Sequence, residues 1–435
     1  MTEETDLERR LRAHMEAERA AAPAHPHWET QIMHTVRTTP SQPPRHPLRQ
    51  VAFASVVIVF VAILAGATVW LRSLSVNRQA VKQQVTAAPK PSLGPSAEAV
   101  VPAEFTWLRM AGPASGWAVV VGRSKSLVVR TDDAGQHWRD VSPAPQLLPT
   151  ATFARDTNIA WVAYSSPDGA FLYRTVDGGR TWDRSSRLPT DRQPSGWLDF
   201  IDGTHGWFVA ITGAAAGREA SQVFQTTDGG MHWALMSESQ LSEIGPSTPG
   251  SLPTCDLTGA RFLSATTGWV AGTCNGPGPA LWLTHDAGRT WHDQPLPISG
   301  GYQSGTAPNF FSTRDGAVVM QNASTTTIYT TSNAGQTWTS ISTLPSPDIG
   351  FAFLDTTHWW YVDGGSRQLF QSVDAGRHWS LIAPIGTVGR IDRLQFVNEQ
   401  FGFAVQVAPQ RQNQLLRTAD GGRTWHQIIS NFPPL

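Results

Sequence analysis

Thr175-Val176-Asp177-Gly178-Gly179-Arg180-Thr181-Trp182 and Thr418-Ala419-Asp420-Gly421-Gly422-Arg423-Thr424-Trp425 are one phrase written twice. Five more copies accompany them: Thr131 to Trp138 around Asp133, Thr226 to Trp233 around Asp228, Thr284 to Trp291 around Asp286, Thr331 to Trp338 around Asn333, and Ser372 to Trp379 around Asp374. Successive tryptophans of the phrase stand 41 to 58 residues apart. That is the size of a four-stranded propeller blade. Seven copies predict an all-β chain whose main domain is a seven-bladed β-propeller.

The phrase is turn chemistry. Asp followed by Gly-Gly or Ala-Gly places a carboxylate beside backbone N–H groups and supplies the positive φ of a tight hairpin. The hydroxyl two residues earlier closes the same small network, and the Trp opens the returning strand with a large apolar face. The phrase resembles the Asp-box, or BNR repeat, of sialidase-like propellers. Asp133, Asp177, Asp228, Asp286, Asn333, Asp374 and Asp420 are therefore read as structural turn residues, with Asn333 keeping the acceptor oxygen. No copy runs on to the terminal Glu of an EF-hand calcium loop. Neither a metal nor a cofactor is expected.

Composition narrows the function classes. The 435 residues carry 33 Lys and Arg against 34 Asp and Glu, a net charge of −1, so no global cationic signature of nucleic-acid binding is present. Gly, Pro and Trp are plentiful (38, 31 and 18), as many short strands and tight turns require. Histidines such as His205, His285 and His358 lack metal-ligand spacing, and no HExxH, Cys-x-x-Cys, G-x-S-x-G or phosphate loop occurs.

Ahead of the repeats stand three segments. Residues 1–50 hold Leu7, Leu11 and Met15, then Trp28, Ile32 and Val36, at helical spacing, which predicts two short amphipathic helices in a polar tail. This tail resembles the cytoplasmic stub of membrane-bound anti-sigma-type regulators, without their zinc-binding His and Cys pattern. Residues 51–71 contain no charged side chain between Arg49 and Arg72, long enough for one transmembrane helix. A cleaved signal peptide is the rival, but fifty residues precede the apolar run, which is longer than an h-region. Residues 72–103 are a Pro-, Ala- and Gln-rich tether. Arg37, Arg45 and Arg49 on one flank balance Arg72, Arg78 and Lys82 on the other. Orientation therefore rests on the rule that a short polar tail stays cytoplasmic while a large domain is exported, making this a single-pass protein with an extracytoplasmic propeller.

Within residues 104–431 each phrase is preceded by a second one, a large apolar residue followed about six positions later by Gly-Trp or a variant. Examples are Phe200 with Gly206-Trp207, Phe262 with Gly268-Trp269, Met110 with Gly116-Trp117 and Phe396 with Gly402-Phe403; Phe153 with Trp161, Phe311 with Val318 and Phe353 with Trp359 are looser. The apolar residue closes strand A, the Trp opens strand B, and the Asp phrase joins strands C and D. Seven complete blades result, and the ring closes without borrowing a strand. The stretch Phe200-Ile201-Asp202-Gly203-Thr204-His205-Gly206-Trp207-Phe208-Val209 leading to Asp228 resembles the photosystem II stability/assembly factor family. That resemblance implies a non-enzymatic scaffold that binds an envelope or membrane protein outside the cytoplasm.

The alternative is a glycan-binding or glycan-cleaving propeller at the cell surface. Asp191, Asp199, Asp256 and Asp392 offer carboxylates for such chemistry, but no pair is identifiable in the sequence, nor is a sialidase-like Tyr and Glu set. Strand direction puts the A–B and C–D turns on one rim and the variable D–A and B–C connections on the other. Loops on a rigid scaffold are the usual place for recognition. Arg192, Arg218, Glu219, Arg390 and Arg411 in those connections are the candidate partner contacts. The two cysteines, Cys255 and Cys274, bracket the A–B hairpin of blade 4 and would face each other across it, within disulfide reach.

Overall fold

The computed structural model describes residues 104–215, 218–241, 250–273, 280–297, 304–345, 349–386, 390–407 and 413–435. The expected tail, span and tether over 1–103 lie outside the described residues, as do Cys274 and Arg411. Among the described residues no helix is long and apolar enough to cross a membrane.

Strands follow one another blade by blade. Blade 1 is β1 (Glu104–Met110), β2 (Gly116–Val121), β3 (Ser126–Thr131) and β4 (Arg139–Asp140). Blade 2 is β5 (Pro149–Ala154), β6 (Ala160–Ser166), β7 (Gly169–Thr175) and β8 (Asp183–Arg184). Blade 3 is β9 (Ser195–Phe200), β10 (Gly206–Ala215), β11 (Arg218–Thr226) and β12 (Ala234–Ser239). Blade 4 is β13 (Asp256–Phe262), β14 (Gly268–Thr273), β15 (Leu281–Thr284) and β16 (His292–Asp293). In blade 5 the first strand is split into β17 (Ser304–Gly305) and β18 (Asn309–Phe310), both paired with β19 (Gly316–Gln321), followed by β20 (Thr326–Thr331) and β21 (Thr339–Leu344). Blade 6 is β22 (Ile349–Phe353), β23 (Trp359–Asp363), β24 (Gln368–Ser372) and β25 (Ser380–Pro384). Blade 7 is β26 (Arg390–Phe396), β27 (Gly402–Val407), β28 (Asn413–Thr418) and β29 (His426–Ile428). Each sheet is antiparallel and ordered as the chain runs. First strands of neighbouring blades touch, β5 with β9, β9 with β13, and β22 with β26, so these strands line the axis.

The core lies between blades. Seven apolar clusters fill seven seams, one for each pair of adjacent blades, including blade 7 against blade 1. At four seams a strand-B Trp lies over the aromatic that ends strand A of the next blade. Trp161 stacks on Phe200 at 3.8 Å, Trp207 on Phe262 at 4.0 Å and Trp360 on Phe396 at 3.9 Å, and Trp269 meets Phe310 at 4.9 Å. At three of them the strand-D Trp of that next blade closes on the same ring edge-on, as Trp233 does on Phe200, and at the fourth Trp338 meets Phe310 tilted by 59°. Gly206 leaves room for this arrangement, since a Cβ there would stand 2.3 Å from the Phe200 ring.

The looser copies resolve by register. Phe310, rather than Phe311, pairs with the blade 5 glycine, Gly316, and Ala317 stands where other blades carry Trp or Phe. In blade 6 Trp359 occupies the glycine position and Trp360 is the seam tryptophan. Trp359 instead fills the seam that Ala317 leaves short, packing with Phe311 and Phe353.

No strand is exchanged at closure. Asn431 donates to the Gln136 carbonyl (2.8 Å) and accepts from the Trp138 amide (2.9 Å), while Phe432 packs on Phe105 and Trp138. Segments leaving other blades reach the next turn in the same way, Ser186 N donating to Met231 O (2.8 Å) and Trp291 N to Gly250 O (2.8 Å). The ring thus closes by extending its ordinary blade-to-blade contact past residue 431.

The seven C–D turns share one geometry. Asp177 Oδ1 accepts from the Thr175 hydroxyl (2.9 Å) and from the amides of Arg180 and Thr181 (3.0 Å each), and Oδ2 accepts from the Thr181 hydroxyl (2.6 Å). Asn333 keeps the amide contact through Oδ1 (3.0 Å from Thr337 N) but donates through Nδ2 to Thr337 Oγ1 (2.9 Å), reversing the carboxylate's role. Each turn also donates one amide to a carbonyl of its own blade's A–B turn: Ala134 to Ala114, Gly178 to Asn158, Gly229 to Thr204, and likewise for the other four. That bond places both sets of turns on one rim, opposite the D–A and B–C connections.

Candidate functional site

Around the axis the strand register sorts side chains into levels. Arg109, Asp199, Arg261 and Gln395 each precede the final residue of strand A, pairing with Trp117, Trp207, Trp269 and Phe403. Three of these four are committed to a neighbouring blade. Asp199 accepts from Arg261 Nη1 (3.0 Å) and from the Phe262 amide (2.6 Å). Gln395 accepts from the Met110 amide (2.9 Å) and donates to its carbonyl (2.7 Å). The Arg109 guanidinium has no hydrogen-bond partner among the described residues, and desolvation, with Arg261 nearby, lowers its pKa. Burial pushes the Asp199 carboxyl up, against the pull of Arg261 and the Phe262 amide.

Two residues earlier in the strands come Trp107, Trp197 and Arg393, the next level along the axis. Arg393 donates through Nη2 to the Thr106 carbonyl across the seam between blades 7 and 1. The Nε atoms of Arg261 and Arg393 are buried without a hydrogen-bond partner. Beyond that level, β1, β5 and β13 bulge at Thr106, Thr150 and Thr258, and the Thr106 and Thr150 hydroxyls turn back to the carbonyls of Val119 and Ala163.

These levels enclose a cavity of about 720 Å³ along β1, β5 and β9, into which Arg261 and Arg393 reach from other blades. A second space of about 320 Å³, walled by β1, β22 and β26, shares Arg109 and Arg393 with it. Four arginines, Arg109, Arg155, Arg261 and Arg393, line the larger cavity together with Trp107 and Trp197, and no Asp, Glu, Tyr or His side chain is among its lining residues. The set offers hydrogen-bond donors, positive charge and aromatic faces. It suits an anionic, acceptor-rich group.

The loop residues singled out by sequence sit elsewhere. Arg192 lies in the β8–β9 connection, exposed, its Nε 3.6 Å from Asp191. Arg218 opens β11 and donates to Thr254 Oγ1 (3.0 Å), and Glu219 accepts from the Leu257 amide (2.8 Å), so both tie blade 3 to the segment entering blade 4. Burial raises the Glu219 carboxyl despite that bond. Arg390 opens β26 and pairs with Asp392 (3.0 Å). None of these four lines the axial cavity. Arg109, Arg261 and Arg393 escaped the sequence reading, although Arg109 and Arg261 stand directly before the strand-closing Met110 and Phe262, a position the repeat itself marks. The carboxylates considered for catalysis are engaged with arginines: Asp199 with Arg261, Asp191 with Arg192, and Asp392 with Arg390 and Arg393. Asp256 opens β13 opposite Thr273. Its neighbour Cys255 is disulfide-bonded, and the register brings the chain to the position beside Cys274, which lies outside the described residues.

No protein-family model matches the chain, and no curated protein matches it. Among solved structures, YCF48 bound to D1 peptide is similar at 17% identity with a TM-score of 0.49, covering 74% of this chain and 94% of that one. YCF48 from Cyanidioschyzon merolae is similar at 17% identity with a TM-score of 0.45, over 73% and 96% of the two chains. An oligogalacturonate lyase from Vibrio parahaemolyticus reaches a TM-score of 0.52 at 8% identity, covering 71% of this chain and 88% of that one. Likeness at this identity bears on the fold, which is the propeller.

Proposed function

We propose that this chain is a membrane-anchored binding scaffold whose propeller engages a protein partner on the extracytoplasmic side. The lining of the axial cavity carries the reading: four arginines and two tryptophans converge there, with no Asp, Glu, His, Tyr or Cys among the lining residues. Arginine and tryptophan are favoured at protein interfaces, the one for planar multidentate bonding and the other for area buried at low entropic cost. The resemblance of the stretch from Phe200 to Val209 to the assembly-factor propellers supports the same role. The apolar run over 51–71 is the proposed anchor, residues 1–50 the cytoplasmic tail, and a Cys255–Cys274 bridge suits an oxidising exterior.

Cross-linking in intact membranes followed by affinity capture tests the scaffold reading. The expected result is a defined membrane protein retained by the full-length chain. Capture of nothing but polysaccharide, or turnover of a polysaccharide by the purified protein, would replace it with the carbohydrate alternative. Protease added to intact cells should remove the propeller, and full protection would reverse the topology.

A further inference from the structure

Blade 1 carries a surface of another kind on its loop rim. The β2–β3 connection is a tight turn, closed by the Gly122 amide donating to the Lys125 carbonyl (2.9 Å), and it exposes Arg123, Ser124 and Lys125. Beside it runs the β4–β5 connection, residues 141–148, which holds no charged side chain. There the Leu147 amide donates back to the Ala144 carbonyl (3.0 Å), and Leu147 packs on the seam between blades 1 and 2. Leu148 is left 61% exposed. The two connections wall an open hollow of about 700 Å³, lined by Arg123 and Lys125 from the turn and by Leu147 and Leu148 from its neighbour.

The fold itself does not use these cations. Neither Arg123 nor Lys125 forms an ion pair with a described residue, and Glu104, opposite Val121, is the acid that the strand register brings to this edge. Other described B–C turns differ: that of blade 2 holds Asp168, that of blade 5 is uncharged over 322–325, and that of blade 6 carries Asp363 with Arg367. An exposed leucine beside unpaired cations is poorly placed in water. It is well placed at the boundary of an anionic bilayer, where basic side chains meet phosphate and the leucine meets acyl chain.

Chain connectivity points to the same occupant. β1 opens at Glu104, so the chain enters the propeller at this edge of blade 1. The tether proposed over 72–103 reaches about 110 Å even at full extension. Contact with the anchoring bilayer is then intramolecular, and a weak surface suffices. Resting on the membrane-anchor reading above, we infer that the loop rim of blade 1 is a lipid-docking surface. Arg123 and Lys125 bind the headgroups of anionic phospholipid, and Leu148 enters the interface beside them. Docking turns the loop rim towards the bilayer, an orientation that suits a partner which is itself a membrane protein.

Full-length protein in nanodiscs tests this directly. The discs contain phosphatidylcholine brominated on its acyl chains, with or without about one third phosphatidylglycerol. Bimane is attached to Gln146→Cys, beside the hollow, or to Ala323→Cys on the blade 5 turn; both positions are exposed, and Cys255 is disulfide-bonded. Quenching at position 146 is expected to be about fivefold stronger in anionic than in neutral discs, stronger than at position 323, and lost in high salt. Arg123→Glu combined with Lys125→Glu should erase it, and Leu148→Ser should weaken it, with the thermal transition unchanged because all three side chains are exposed. Equal quenching in the two kinds of disc overturns the docking surface, as does quenching that survives the charge reversal or is matched at position 323. Retention of the chain in the discs through an alkaline carbonate wash reads the anchor separately. If the wash removes the chain, the anchor reading falls, and the same labelled protein mixed with vesicles of the two compositions decides the surface by the same criteria.

Discussion

The turn rim and the axial wall solve opposite problems with the same residue types. At the rim each Asp or Asn is satisfied within five residues: Asp228 takes the Thr226 hydroxyl, the amides of Met231 and His232, and the His232 ring at 2.6 Å. Along the axis the charged side chains look to other blades, as Asp199 does to Arg261, or to no described residue, as Arg109 does. Local satisfaction can be repeated seven times without regard to context. Satisfaction across blades cannot, because what faces each strand differs, and Arg109 is left over. The comparison separates the parts of the molecule that build a ring from the part in which seven similar blades become unequal.

The strongest way to break the repeated side is at a seam. Phe262 is buried, lies parallel to Trp207 and takes the edge of Trp291 at 6.2 Å. Phe262→Ala removes a ring from between two tryptophans held by separate blades, and a loss of about 3–5 kcal/mol is expected. Chemical denaturation monitored by far-ultraviolet circular dichroism measures it. A loss under about 1 kcal/mol would mean that neighbouring side chains collapse into the gap, contrary to a rigid close-packed seam.

How much was legible follows from the same division. The Asp phrase and the Gly-Trp phrase are local, so spacing alone delivered seven blades, the strand assignments and the two rims. Phe311 was misassigned for Phe310 because blade 5 has Ala317 in place of the seam tryptophan, and without that marker two adjacent phenylalanines are indistinguishable in the sequence. Of the candidate contacts in the long, variable loops, Arg218 and Glu219 tie their blade to the next one, a role that sequence spacing does not show. Arg109, Arg261 and Arg393 come from blades 1, 4 and 7, up to 284 positions apart, and only closure of the ring brings them to one axis. No periodicity announces such a meeting.

Acid sharpens the comparison further. Burial alone would raise the Asp228 carboxyl, but bonds from His232 and Thr226 hold it at about 2; the Thr424 hydroxyl and amide do the same for Asp420, also at about 2. Both lie below the ordinary value of about 3.9. The folded state therefore favours the ionised form, and this stabilisation, complete above about pH 4, disappears as pH falls towards 2. Asp199 has the opposite sign: its raised value favours the protonated form, a contribution present at low pH and lost as pH rises through its folded pKa. Asp228→Asn should flatten the decline in stability between about pH 4 and pH 2, whereas Asp199→Asn should flatten a loss of stability that sets in as pH rises above about 4. Urea unfolding at several pH values reads both slopes. Parallel slopes for the two variants would show that rim and axis titrate alike.

The smallest effect concerns backbone. Every C–D turn holds two successive residues at positive φ, and in four turns the first of them is alanine: Ala134, Ala287, Ala334 and Ala375, with φ between 60° and 67°. An L-residue with a Cβ is held there at roughly 1–2 kcal/mol above a relaxed conformation. Ala334 is the informative case. Its side chain is only half-buried, so little apolar contact is forfeited on removal, and its amide bond to the Arg314 carbonyl (2.8 Å) is a backbone contact that glycine retains. Glycine relieves the strain but enlarges the freedom of the unfolded chain, which returns part of the gain. Ala334→Gly is expected to stabilise the protein by about 0.5–1 kcal/mol. The reverse exchange in blade 2, Gly178→Ala, should destabilise it by more than the strain alone, because a Cβ there would stand 1.7 Å from Arg130 Nη1. Paired unfolding curves at neutral pH settle the sign. If Ala334→Gly lowers stability, the turn is held by its side-chain bonds firmly enough that backbone preference no longer matters.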